Sequence, residues 1–118
     1  QCHCSLCRKQ SGGASNAATI VKTDSIIWES GQDLVAKHER ATGFRSYFCT
    51  GCGSPVPNPI GDGSLSWLPL GILDETAQLE LVANIFIGSK APWAPLPMTG
   101  VCHNEMPPIS EFLEVLHG

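Results

Sequence analysis

Cys2-His3-Cys4-Ser5-Leu6-Cys7 and, further along, Cys49-Thr50-Gly51-Cys52-Gly53-Ser54-Pro55 are the stretches on which the reading of this chain turns. Five of the six cysteines fall in these two clusters. Cysteines this close in sequence rarely bridge one another but converge readily on one ion, which favours a metal centre over a disulfide framework. A thioredoxin-like redox pair fits less well. Its C-x-x-C follows a strand and opens a helix, whereas Cys49 to Pro55 is rich in turn residues and runs on into prolines. The expected ion is Zn2+, held by the thiolates of Cys2, Cys4, Cys7, Cys49 and Cys52. Gly51 and Gly53 give the second cluster the form of a zinc knuckle, in which the backbone turns so that amides face the sulfurs. Structural zinc takes four ligands, so this pair needs a second half-site. Either Cys4 and Cys7 (or Cys2) close one four-cysteine site, or a segment upstream of Gln1 closes it and Cys2, Cys4 and Cys7 hold a separate ion. Three thiolates on one ion leave a position open, as catalytic zinc sites do, and an open zinc suits the binding and activation of an incoming thiol. A plain four-cysteine staple without catalysis is the alternative that spacing leaves standing. Redox sensing by Cys2, Cys4 and Cys7 is a further one.

The rest of the composition narrows the class. A chain of 118 residues fits a single domain over 1–118. With 42% hydrophobic and 15% charged residues it reads as globular rather than disordered. A formal net charge of -4 and the lack of a Lys/Arg run argue against a nucleic-acid partner. No apolar stretch approaches the roughly 18 residues of a membrane span. There is no signal-peptide pattern, and a cytoplasmic location is expected.

Nine prolines and twelve glycines punctuate short apolar runs, which suggests a mostly β domain. The pattern predicts a helical turn at 5–11 and strands at 17–21, 25–28, 34–38, 44–48, 66–70 and 79–87. Turns are expected at Ser30-Gly31, Thr42-Gly43, Pro57-Asn58-Pro59 and Gly61-Asp62-Gly63. The proline-rich stretch Pro92 to Pro108 reads as an extended surface loop. A short amphipathic helix is expected at 109–116, with Ile109, Phe112, Leu113 and Leu116 on its apolar side and Pro107-Pro108 ahead of it.

Other polar residues carry weaker signals. Arg8, Lys9 and Gln10 follow the third cysteine, and Arg45 and Ser46 precede the C-x-x-C. These are candidates for holding a small anionic substrate, with an ordinary solvated face as the plainer reading. Lys90 and Trp93 put a cation beside an exposed aromatic, either as pocket wall or as packing. His3 is expected at the surface, pointing away from the metal, and His38 and His117 at the surface too. Cys102-His103 reads as a lone thiol rather than a ligand pair, and Asp74 and Glu75 as turn formers.

The ordered motifs His3-Cys4-Ser5-Leu6-Cys7-Arg8-Lys9 after Cys2, Phe48-Cys49-Thr50-Gly51-Cys52-Gly53-Ser54-Pro55, Leu70-Gly71-Ile72-Leu73-Asp74 and Ile85-Phe86-Ile87-Gly88-Ser89-Lys90-Ala91-Pro92-Trp93 resemble the glutathione-dependent formaldehyde-activating enzyme (GFA) family, also called the centromere protein V/GFA domain. The resemblance spans nearly the whole chain. It implies an Mss4-like fold of folded β-sheets with zinc-clipped loops. It implies two zinc sites: an open one on Cys2, Cys4 and Cys7, and a structural one on Cys49 and Cys52 with an upstream C-x-C pair that these residues do not include. Asn84 stands where the family pattern has a histidine. The implied chemistry is carbon–sulfur lyase-type formation or cleavage of a thiol–aldehyde adduct such as S-(hydroxymethyl)glutathione. The partner would be a small thiol such as glutathione, its carboxylates received by Arg or Lys near the site. The alternative is a non-catalytic zinc-stabilised binding module, in the manner of chromatin-associated relatives. The acidic balance counts against its chromatin version.

Overall fold

The computed structural model describes residues 1–75, 78–95 and 99–118. They fall into two compact units: Ala18–Asp74, and Gln1–Ala17 with Glu75–Gly118. Short strands and turns dominate, with two helices, so the mostly β reading and the C-terminal helix are both observed.

The Ala18–Asp74 unit holds β1 (Ala18–Lys22), β2 (Val35–Glu39), β3 (Arg45–Cys49), β4 (Asn58–Ile60) and β5 (Leu65–Pro69). β5 is the central strand of an antiparallel sheet in the order β1-β5-β4, with Ile20 opposite Trp67. The sheet's two most buried residues lie on its opposite faces: Ile20 is 1% exposed and Ser66 2%. Burial of an isoleucine side chain contributes about 1.5–3 kcal/mol. The buried Ser66 hydroxyl is satisfied by Thr23 Oγ1 at 2.8 Å. β2 and β3 form a separate hairpin, closed at Arg40–Phe44 by paired backbone bonds.

Two expectations fail in this unit. No strand forms at 25–28. Thr23–Ser25 is a 3-10 turn in which Ser25 Oγ donates to Lys22 O, local side-chain chemistry that competes with ladder formation. Conversely, Asn58-Pro59 is strand rather than turn. β4 lies at the sheet edge, where Pro59 needs no N–H of its own.

The second unit holds α1 (Ser5–Ser11), β6 (Ala83–Asn84), β7 (Val101–Cys102) and α2 (Ile109–His117). Helix α1 forms where expected and stops at Gly12, whose left-handed conformation lets its N–H reach Arg8 O. In α2 the apolar side centres on buried Phe112, with Leu113 and Leu116 half-buried, but Ile109 is 43% exposed. The long strand expected at 79–87 shrinks to β6 and a single bridge at Ile85. An alternating apolar run becomes strand only as far as its backbone finds partners. Here those partners are two short segments, Gln1–His3 and Val101–His103. Phe86 then ends the extended run. It has φ 57, left-handed for a non-glycine residue, a strain on the order of 1 kcal/mol that redirects the chain. Gly100 lets β7 approach β6: a Cβ there would lie 2.8 Å from Ala83 N. The extended loop expected over Pro92 to Pro108 has residues 96–98 outside the described residues, and its described part includes β7.

Candidate metal centre

Cys2, Cys4 and Cys7 reach one another from three local conformations. Cys2 lies in extended backbone bridged to both Asn16 and Ile85. Cys4 is the extended N-cap of α1, and its Sγ accepts the Cys7 amide at 3.3 Å. Cys7 lies in the first turn of that helix, three residues on, on the same face as the cap. Their sulfurs all lie within 4.8 Å of one another, an arrangement that can hold a metal ion. Among the described residues no other group of three His, Cys, Asp or Glu converges in this way. Cys2 and Cys7 are buried and Cys4 is half-buried.

The three thiols perturb one another. A hydrogen bond from Cys7 pulls the Cys2 thiol down to about 6, against the burial that pushes it up. Cys7, held by that bond and buried, is pushed well above the ordinary thiol range. One thiolate therefore forms easily, while further negative charge needs a positive partner, which a cation supplies.

The setting of this cluster corrects one expectation. His3 is not at the surface but only 3% exposed. Its Nε2 faces Asn84 Oδ1 at 3.3 Å, and Asn84 Nδ2 donates to Thr99 O at 2.8 Å. Asn84 is fully buried. Reading the residues singly missed its structural role; the signal was a lone amide inside an otherwise apolar run. His38 and His117 are exposed as expected, and Cys102 is an exposed free thiol.

The candidate anion-holding residues divide. Arg8 follows Cys7 on α1, and its Nε is buried without a hydrogen-bond partner. Lys90 donates to Ala94 O at 2.6 Å and Ala91 O at 3.1 Å, closing the turn that carries Trp93, which is 71% exposed. Arg45 lies in the other unit and is committed there. Its Nη1 donates to Pro59 O at 2.9 Å and its Nε pairs with Glu39 at 3.4 Å.

Cys49 and Cys52 also belong to the Ala18–Asp74 unit. Cys49 ends β3, and the turn behind it is closed by Gly53 N–H on Cys49 O at 2.7 Å, with Gly53 at φ 79. The turn expected here is present. Cys52 is exposed, 3.3 Å from Ser54 Oγ, and the Ser54 hydroxyl holds its thiol below the ordinary range. The same unit carries a cleft of about 250 Å3 with Trp28, Lys37 and Tyr47 among its walls.

Comparison with curated proteins gave no match. The model of the glutathione-dependent formaldehyde-activating enzyme family matches residues 1–89, well over half of the chain and inclusive of both cysteine clusters. The chain belongs to the glutathione-dependent formaldehyde-activating enzyme family.

Proposed function

We propose that this protein is a zinc-dependent carbon–sulfur lyase-type enzyme that forms or cleaves a thiol–aldehyde adduct such as S-(hydroxymethyl)glutathione. The observation that carries the proposal is the convergence of Cys2, Cys4 and Cys7 within 4.8 Å in a chain of this family. Thiolates around a tetrahedral zinc, each about 2.3 Å from it, sit about 3.8 Å apart, so the three sulfurs fit the ion with small side-chain adjustment. Cys2, Cys4 and Cys7 would hold it, and when bound it supplies Lewis acidity toward a thiol sulfur or an aldehyde oxygen. In the synthetic direction the substrate sulfur bonds to the aldehyde carbon. The C=O π pair moves to oxygen, and oxygen takes the proton that the thiol gives up.

The chain's own contribution is binding and orientation. Arg8 offers a guanidinium, with its Nε unpartnered, one residue beyond Cys7, and we assign it a substrate carboxylate. Trp93, mostly exposed, is available as an apolar wall for the same ligand. We assign Cys49 and Cys52 to a second, structural zinc. We assign the protein to the cytoplasm, and its six free thiols support that reading.

One observation favours the second reading, a non-catalytic zinc-stabilised module. Lys90 and Arg45, two of the candidate anion receptors, already donate to the protein's own carbonyls. The test is exchange between free and adduct-bound formaldehyde in the presence of glutathione, followed by NMR with the zinc-loaded protein. Exchange above the uncatalysed rate, abolished by a chelator and restored by zinc, is expected. Exchange at the uncatalysed rate would leave the binding module as the reading.

A further inference from the structure

The segment Cys2-His3-Cys4 alternates, as extended backbone does: residues i and i+2 share one side and the residue between them takes the other. Cys2 and Cys4 thus send their sulfurs one way, and the His3 imidazole goes the opposite way onto Asn84. The protonation of that contact follows from its far end. Thr99 O only accepts, so the Asn84 amide nitrogen faces it and Oδ1 faces His3. An amide oxygen also only accepts, so His3 Nε2 carries the proton. The other ring nitrogen, Nδ1, is buried without a partner, so the ring's hydrogen bonding rests on Nε2 alone. Backbone bonds reinforce the same attachment: His3 N–H donates to Ile85 O, and Ile85 N–H to Gln1 O.

We propose that His3 is a positioning residue for the metal centre: its Nε2–H, fixed on Asn84, sets the direction of the Cys2 and Cys4 sulfurs on either side of it. The outer contacts of a metal site orient its ligands, and losing one costs roughly 10–100-fold in affinity. The role rests on the cysteine cluster as a metal site and is independent of the lyase reaction.

Two amide replacements separate the role from simple packing. In His3→Gln the amide nitrogen reaches the place of Nε2 and can donate to Asn84. In His3→Asn the amide overlays Nδ1 and falls short. Each full-length protein is titrated with Co2+, and the thiolate-to-cobalt absorption is recorded beside far-UV circular dichroism. The expected result is wild-type affinity within about 3-fold and an unaltered spectrum for His3→Gln. For His3→Asn, binding weaker by roughly 10–100-fold and a shifted spectrum are expected. Equal affinities and spectra in the two variants would overturn the proposal. So would loss of fold in both alike, since His3 would then serve general packing. A wild-type protein whose cobalt spectrum lacks thiolate bands would instead refute the metal centre itself.

Discussion

The two cysteine clusters are built by different means. Cys49 and Cys52 lie on one local turn, closed by a backbone bond from Gly53 to Cys49. Thr50, inside the turn, is also tied to Leu34 O, by its N–H at 2.9 Å and its Oγ1 at 2.7 Å. Cys4 and Cys7 meet locally at the start of helix α1, while the segment carrying Cys2 and His3 is also bridged to Ile85 and tied to Asn84, about eighty residues away. Cys49 and Cys52 are half-buried to exposed, and the N-terminal trio is mostly buried. A turn can present two thiols for a structural ion. A trio of thiols on a mostly buried floor, with an arginine beside it, can do chemistry on a ligand.

The sharpest way to break this contrast is Cys4→Ser. It should remove one metal equivalent and cut adduct exchange by more than the roughly 10–100-fold typical of outer-contact changes, while sparing most of the thermal stability. Elemental analysis and the NMR exchange assay read both effects, and a fully active variant would end the open-site reading. Next in size, Cys49→Ser should lower the melting temperature by on the order of 10 °C, because structural zinc contributes folding free energy directly. An unchanged melting temperature would remove the structural role of the Cys49–Gly53 turn. If either variant lost all bound zinc instead of its own share, the clusters would act as one site and the contrast would fall. The smallest effect sharpens rather than breaks it. Arg8→Ala should raise KM for an anionic thiol about tenfold with kcat little altered, the signature of a lost carboxylate contact. A KM that stays put would return Arg8 to the role of an ordinary half-exposed cation.

Much of this was readable from the residues because the determinants are local. Helix α1 begins at Cys4 and ends at Gly12, and both ends lie within its own segment. The Cys49–Gly53 turn, the hairpin at Arg40–Phe44 and helix α2 follow from turn glycines and helical spacing in the same way. The misreadings were of two kinds. Some were local competition decided by hydroxyls and edges, as at Ser25 and Pro59. Others were questions of partnership, which no window of sequence contains. The run 79–87 had the pattern of a strand but short partners for its backbone, and His3 looked like a surface residue until Asn84 was beside it.

The sequence by itself determined that thiols cluster, that the chain is mostly β, and that its motifs are those of its family. These depend on residue type and spacing over a few positions. Only the tertiary structure decided that Arg8 keeps an unpartnered donor while Arg45 and Lys90 do not, and that a buried His3–Asn84 contact stands behind the cluster. Each of these depends on which distant groups meet. Whether a polar atom is free or taken is a property of its neighbours, and the fold alone supplies them.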